Sequence, residues 1–341
     1  MPVLCKALNF VCLNKRLKIF LNYVVGPVLF VWLSYSIYRQ IQHQNGLAQS
    51  WDMIRSGFRV EQLEKLILVL ALMLLNWAIE AKKWQVLVSG IQTISFWRAY
   101  RAIFSGQSLG FNTLNGLGEP AGRVIFLEEG NRLRGVLHTW VGGMSQIIVT
   151  VVSGILGLLY LRFAILDGIH SLEGLSIVWL DGLVYTTSVG IIIFILMYFR
   201  LSWLVQVLEK IPFIAKHKFF VEKLEDFHWR ELTRLLFFSL FRYLVIVVQY
   251  VLLLQVFEVN VNWVSAAALV SVMLLVLLIV PSISLAELGF RGKISLYLFG
   301  LISPNTIGII STVGGLWVIN QVIPAIAGSL FILGVRLFRN K

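Results

Sequence analysis

Residues 235–257 read LLFFSLFRYLVIVVQYVLLLQVF, and Arg242 is the only charged side chain in this stretch. A helix of about 20 apolar residues covers the roughly 30 Å of hydrocarbon in a bilayer. The stretch is therefore predicted to be a transmembrane helix. Six further stretches have similar length and character, and they lie near 17–38, 65–88, 136–160, 176–199, 263–284 and 305–335.

The composition of the chain extends this prediction to the whole protein. Of its 341 residues, 58% are hydrophobic and 13% are charged, whereas about a quarter of a soluble domain is charged. Backbone polar groups in lipid must be satisfied within the segment, so the spans are expected to be helices. We predict an all-α, polytopic integral membrane protein with about 7–8 transmembrane helices, in which residues 1–341 form a single transmembrane domain.

We attribute the net charge of +12 to the orientation of the chain in the membrane and to contact with anionic lipid headgroups. Basic residues gather at the ends of the apolar stretches, which is not the pattern of a nucleic-acid-binding protein. The first 18 residues carry four bases and no acid, so we predict a cytoplasmic N-terminus and a multi-pass protein of the cell inner (plasma) membrane. Residues 39–64 are predicted to form an amphipathic outer-surface loop, and residues 200–234 a basic cytoplasmic loop.

Two apolar segments, residues 99–122 and 281–303, are interrupted by glycine, proline or asparagine. Such residues break helices, and broken backbone at membrane depth is tolerated only when protein shields it or it lines a cavity. We therefore predict two re-entrant or broken-helix segments. Their positions in the two halves of the chain also suggest an internal pseudo-repeat. One of the two is expected to cross the membrane, because the basic C-terminus favours the cytoplasmic side.

Each broken segment carries a glutamate followed four residues later by an arginine. Glu119 precedes Arg123, and Glu287 precedes Arg291. Residues four apart share one helix face, so each motif can form its own ion pair. Ionisable groups at membrane depth are functional candidates, and the arginines suit a lipid phosphate. Two buried salt bridges that hold the segments in place are the alternative. Pro120 suits the first helical position, which would make Glu119 the cap.

Glu80 is the third acid expected at membrane depth. It shares a helix face with Asn76 and Trp84, and Lys83 follows three residues later. A polar contact between helices is one interpretation, with Lys83 and Trp84 as interfacial anchors; a place in the binding site is the other. For Arg242, snorkelling to the cytoplasmic surface is favoured over a lining role.

The sequence contains no HExxH, no CxxC pair, no Walker loop and no GxSxG. These motifs are typical of metal, nucleotide and acyl-transfer sites. We therefore expect no catalytic residues, no metal site and no cofactor, and we do not expect an enzyme. An ATP-driven pump within one chain is also not expected.

Three motifs resemble the flippase-like membrane region of lysylphosphatidylglycerol synthases. They are Lys83-Trp84, the stretch 116–123 (GLGEPAGR), and the stretch 281–291 (PSISLAELGFR). Family members usually show Arg-Trp, a Gly-x-x-Gly-Glu-x-x-Arg motif and a Pro-…-Gly-x-Gly-x-Arg-Glu motif. This sequence departs from them at Lys83, in the spacing before Arg123, and in the glycine after Arg291. It resembles a stand-alone member without the soluble aminoacyl-transfer domain.

The resemblance implies a lipid flippase that moves a phospholipid or a lipid-linked molecule between leaflets. Its expected partners are membrane lipids with an anionic headgroup or a lipid-linked phosphate. The expected binding residues are Glu80, Lys83, Glu119, Arg123, Glu287 and Arg291. A membrane-embedded transferase on a lipid-linked substrate is one alternative, for which the nearest candidates are Glu128, Glu129 and His138. A non-transporting scaffold for lipid-synthesis enzymes is the other.

Overall fold

The computed structural model describes residues 60–111, 113, 116–166, 177–200, 227–280 and 284–333. Within these ranges the protein is helical and has no strand, which confirms the all-α prediction. The helices are α1 (Val60–Val88), α2 (Phe96–Phe111), α3 (Glu119–Val124), α4 (Arg132–Tyr160), α5 (Ile177–Phe199), α6 (Trp229–Val256), α7 (Trp263–Ile279), α8 (Ser284–Phe299), α9 (Thr306–Trp317) and α10 (Ile323–Leu333). A π-helical turn extends α4 through Leu161–Ile165, and another at Val318–Val322 joins α9 to α10.

Five continuous helical stretches in the described ranges are long and apolar enough to cross a membrane. They are Gln62–Val88, Glu129–Ile165, Val178–Phe199, Trp229–Val256 and Thr306–Ile332. They match five of the seven apolar stretches in the sequence and are compatible with a multi-pass membrane protein. The predicted span near 17–38 lies outside the described residues.

The predicted span 263–284 is too long, because α7 ends at Ile279. Val280 follows in extended backbone, with φ −83° and ψ 110°. It precedes Pro281, and a residue before proline is disfavoured in helical conformation. At 17 residues, α7 is an apolar helix shorter than the five long ones.

The prediction of a break in residues 99–122 is confirmed. Helix α2 ends at Phe111, and the chain turns before the short helix α3 begins at Glu119. Gly116 lies in this turn with φ of 70°, a left-handed conformation that favours glycine. In the second segment, α8 runs without interruption over Ser284–Phe299. Both α2 and α8 have 16 residues, fewer than the roughly 20 needed to span the hydrocarbon.

The two predicted surface loops fall largely outside the described residues. Of the loop 39–64, the structure describes only the beginning of α1, from Val60. Of the loop 200–234, the last residues belong to α6, which already begins at Trp229. The predicted boundary was therefore too late. The sequence prediction followed the apolar window, whereas the helix continues into a more polar first turn that contains Glu231.

Glycines allow close approach of neighbouring helices in this fold. A Cβ atom added to Gly154 of α4 would lie 2.6 Å from Leu275 Cβ of α7, and one added to Gly157 would lie 2.6 Å from the Ala268 carbonyl oxygen. A Cβ atom on Gly328 of α10 would overlap the Phe104 carbonyl of α2. The Gly154 backbone therefore packs against a side chain of α7, and the backbones at Gly157 and Gly328 pack against backbone of α7 and α2, as is common between apolar helices.

The contact at Gly328 gives a stability prediction. Gly328→Ala should lower the free energy of unfolding by about 1–3 kcal/mol, because the added methyl overlaps backbone that cannot move aside cheaply. Thermal unfolding of the detergent-purified protein measures the change.

Gly190→Ala is the matched control, because Gly190 is also within a helix and a Cβ atom there would meet no described atom within 4 Å. This variant should unfold at the wild-type temperature or slightly above it, since alanine favours helix by up to about 1 kcal/mol over glycine. Equal loss of stability in both variants would contradict the packing argument.

Candidate functional site

Five ionisable side chains from three helices meet in one buried group, which we call the charge cluster. They are Glu80 and Lys83 of α1, Glu119 and Arg123 of α3, and Arg242 of α6. The Glu80 carboxylate lies at the centre. One of its oxygens accepts a hydrogen bond from Arg123 Nη2 at 2.8 Å and the other accepts from Arg242 Nη1 at 3.0 Å. Lys83 Nζ lies 4.0 Å from the same carboxylate.

The charge cluster is closed at its centre and partly open at two edges. The side chains of Glu80 and Arg123 are each 5% exposed, and that of Lys83 is 2% exposed. By contrast, the side chain of Glu119 is 31% exposed and that of Arg242 is 19% exposed. A molecule arriving from outside the protein would therefore meet Glu119 and Arg242 first.

The predicted ion pair between Glu119 and Arg123 is confirmed, and it lies within α3. Its local structure differs from the prediction in one respect. Glu119 is the first helical residue and not the cap, because Gly118 takes the cap position and Pro120 follows inside the helix. The Gly118 N–H donates to Thr113 Oγ1 at 2.8 Å, which ties the start of α3 to the preceding turn.

Two glycines place Arg123 beside Glu80. A Cβ atom added to Gly106 of α2 would lie 2.7 Å from Arg123 Cγ, and one added to Gly122 of α3 would overlap the Ser105 carbonyl oxygen. The short helix α3 therefore lies directly against the backbone of α2. With larger residues at these positions, α3 would move away from α2 and Arg123 would shift relative to Glu80.

Arg242 does not snorkel to the surface, so the favoured interpretation of this residue was wrong. It lies halfway along Trp229–Val256, about 20 Å from either helix end at 1.5 Å per residue. Its guanidinium bonds Glu80 and donates from Nε to Asn76 Oδ1 at 3.1 Å. The Trp77 ring lies 5.5 Å from the guanidinium carbon. An arginine at this depth cannot reach the helix ends, and the polar face of α1 accepts it instead.

Lys83 and Trp84 are not interfacial anchors. Both residues are buried. Lys83 Nζ donates to the Gly142 carbonyl of α4 at 2.7 Å and to Ser239 Oγ of α6 at 2.8 Å. Trp84 lies beneath Arg123, with 5.8 Å from its ring centre to the guanidinium carbon. The position of both residues near the end of an apolar stretch suggested a surface role, whereas α4 and α6 cover this face of α1.

The arginine of the second Glu-x-x-x-Arg motif contacts α6. Arg291 Nη1 donates to the Tyr250 hydroxyl of α6 at 3.0 Å. The side chain of Glu287 lies outside the described part of the structure, so its pairing with Arg291 stays a prediction. Tyr250 follows Arg242 by eight residues on α6, about 12 Å along the helix axis. Of the six predicted site residues, the structure thus brings together Glu80, Lys83, Glu119 and Arg123.

The three residues considered for a transferase have separate surroundings. Glu128 and Glu129 are exposed. His138 is buried, its Nδ1 lies 2.6 Å from the Leu87 carbonyl oxygen, and its ring packs against Phe227 at 4.7 Å between centroids. Among the residues that the structure describes, no group of three or more His, Cys, Asp or Glu side chains could hold a metal ion.

Two residues of the polar site were not among the predicted site residues, namely Arg242 and its hydrogen-bond acceptor Asn76. A signal for Arg242 was present, because a single charge in a long apolar stretch is costly unless it is paired. The sequence did not indicate which acid would be the partner.

The charge cluster contains three bases and two acids, so its formal charge is +1. Arg123 Nε is also buried, with no hydrogen-bond partner among the described residues. An excess of positive charge in a low-dielectric site favours an anion, and guanidinium groups bind carboxylates and phosphates through paired hydrogen bonds.

No family model matches the sequence, and no match was found among curated proteins. The resemblance to the flippase-like region of lysylphosphatidylglycerol synthases therefore remains a hypothesis that rests on the motifs given above.

Glu80→Gln tests whether this carboxylate holds the three helices together. The change keeps the side-chain volume but leaves Arg123 and Arg242 without their shared counter-charge. We expect a loss of about 3–5 kcal/mol in the free energy of unfolding, typical of breaking a buried ion pair. Thermal or denaturant unfolding in detergent measures it.

The double variant Glu80→Gln/Arg242→Gln should recover part of this loss, because one of the uncompensated charges is then absent. Glu129→Gln, at an exposed position, should leave stability within about 0.5 kcal/mol of wild type. Additive losses in the double variant would show that Glu80 and Arg242 are not coupled.

Proposed function

We propose that this chain is a multi-pass membrane protein that moves a phospholipid or a lipid-linked molecule between leaflets. The charge cluster binds the phosphate of that lipid. The observation that carries the proposal is a group of three bases and two acids, with net positive charge, centred on the buried Glu80 carboxylate among long apolar helices.

The outer surface of the helices supports a membrane location. Helix α5 exposes more than half of the surface of several large apolar side chains, among them Val178, Trp179, Tyr185, Val189 and Ile192. An apolar surface of this extent would favour aggregation if water covered it, whereas lipid tails would cover it at no cost. We therefore place α5 at the lipid boundary.

The energetics of the charge cluster support a role in binding. Two charges taken out of water lose much of their solvation, and apolar residues of similar volume often give equal or higher stability. In a membrane the cost of each charge is a few kcal/mol or more unless it is paired. A cluster of five charges is thus an expensive way to hold helices together, but it offsets the desolvation of a phosphate that must cross the hydrocarbon.

The partly exposed edge of the charge cluster suggests how a phosphate enters. Glu119 is the most exposed member, and its carboxylate occupies a guanidinium donor of Arg123. A phosphate oxygen takes the place of that carboxylate and makes a charge-assisted hydrogen bond with Arg123. Arg242, also partly exposed, contributes the second positive charge. Glu80 stays in place and keeps both guanidinium groups oriented, while the lipid tails remain in the hydrocarbon.

A liposome assay tests this mechanism. Arg123→Gln and Arg242→Gln should each slow the movement of a fluorescent anionic phospholipid between leaflets by about tenfold or more. Each removes charge-assisted hydrogen bonds to phosphate worth about 1.5–3 kcal/mol. Arg101→Gln is the control, because Arg101 is an exposed arginine of α2, and this variant should match wild type.

Glu119→Gln separates a binding site from a purely structural ion pair. It removes the carboxylate that competes with phosphate for Arg123, so lipid binding should tighten or remain unchanged. If the Glu119–Arg123 pair served only to hold the structure, substitution of either residue would lower both stability and activity. Wild-type movement no faster than in protein-free liposomes would contradict the flippase and favour a transferase or a scaffold.

A further inference from the structure

A second polar group lies in the interior of the described helices, and all of its members are carboxamides. We call it the carboxamide cluster, formed by Gln107 of α2, Gln249 of α6, and Asn320 and Gln321 of the π-helical turn. Gln107 Nε2 donates to Gln321 Oε1, and Asn320 Nδ2 donates to Gln249 Oε1 at 3.0 Å. Gln249 Nε2 in turn donates to the Val69 carbonyl of α1 at 2.9 Å.

The π-helical turn that carries Asn320 and Gln321 has a cause in the sequence. Pro324 has no N–H to bond the carbonyl of residue 320, and its ring would clash with that carbonyl in a regular α-helix. The helix widens over Val318–Val322 and resumes at Ile323. Such single π turns within long helices are frequent at functional sites. Here the turn lies about 20 Å from the start of the helix at Thr306, and thus at mid-length.

The carboxamide cluster shares helices with the charge cluster. Gln249 follows Arg242 by seven residues, which puts both on one face of α6 about 10 Å apart along the axis. On α2, Gln107 follows Gly106, the glycine that packs against Arg123. Helices α1 and α6 therefore contribute to both groups, and α2 carries Gln107 and packs against Arg123 through Gly106.

The chemistry of the carboxamide cluster differs from that of the charge cluster. A carboxamide offers two N–H donors and an acceptor oxygen without net charge. A hydroxyl group is also both donor and acceptor, so hydroxyls are the natural ligand. Within the part of the chain that the structure describes, Asn320 Oδ1 is buried and has no hydrogen-bond partner, while Gln107 and Gln321 are half-buried. Hydrogen bonds that only join helices would account for the paired groups, but they leave the Asn320 oxygen and the accessible Gln107–Gln321 pair unexplained.

We infer that the carboxamide cluster binds the hydroxyl-bearing part of a lipid headgroup, a polyol or a sugar, while the charge cluster holds the phosphate of the same molecule. The inference rests on the proposed function for the phosphate. It adds a headgroup preference that the charge cluster cannot supply, because a phosphodiester presents the same charge whatever alcohol it carries.

Binding to two lipids of equal charge tests this inference. Phosphatidylinositol and phosphatidylethanol both carry one phosphodiester, and only the former has hydroxyls on its headgroup. The detergent-purified full chain should bind phosphatidylinositol about five- to tenfold more tightly than phosphatidylethanol, which is the effect of one or two net hydrogen bonds. Native mass spectrometry of the protein with each lipid measures the ratio.

Asn320→Leu and Gln321→Met should each reduce this ratio to about twofold or less. Their binding of phosphatidylethanol should stay at the wild-type level, which also reports that the variants are folded. Gln255→Met is the matched control, because Gln255 is a half-buried glutamine of α6 outside the cluster. It should keep the wild-type ratio.

Equal binding of the two lipids by wild type would overturn the inference and leave the proposed function intact. A ratio that persists in both Asn320→Leu and Gln321→Met would also overturn it. If wild type binds neither lipid, the phosphate site itself fails, and the headgroup site fails with it. Arg123→Gln separates the phosphate site from the headgroup site, because it should weaken the binding of both lipids and preserve the ratio of their affinities.

Discussion

The arrangement of the described helices depends on the ion pairs that the Glu80 carboxylate makes with two arginines. The carboxylate accepts from Arg123 of α3 and from Arg242 of α6, so one acid from α1 joins three elements far apart in the chain. In an apolar interior each of these charges would be costly alone. The position of the short helix α3 and the rotation of α6 are therefore set by the need of both arginines to reach the same carboxylate.

Close backbone packing makes that geometry attainable. Gly106 and Gly122 let α3 lie on α2, and Gly328 lets α10 lie on α2 from another side. Apolar helices in lipid gain little from burying apolar surface, so van der Waals contact and polar bonds between helices determine how they associate. The charge cluster and the carboxamide cluster supply the polar bonds, and the glycines bring the helices close enough to make them.

The two Glu-x-x-x-Arg motifs look equivalent in the sequence but lie in helices of different length and setting. Arg123 is paired with acids of α1 and α3, whereas Arg291 donates to the Tyr250 hydroxyl on α6. Helix α3 is a six-residue piece after a turn, while α8 is an unbroken 16-residue helix. The two motifs therefore lie in different local backbone structures, and Arg123 belongs to the charge cluster.

Local features followed from the sequence alone, because they depend on residues close in the chain. Apolar length predicted seven spans, of which five are long helices in the described ranges. Glycine and proline predicted the break before α3, and four-residue spacing predicted the Glu119–Arg123 pair. The tertiary structure decided which side of each helix is covered. It turned Lys83 from a surface anchor into a buried donor and gave Arg242 a partner 162 residues away. In a uniformly apolar helix, periodicity does not indicate which face meets protein and which meets lipid, so these pairings arise only when the helices pack.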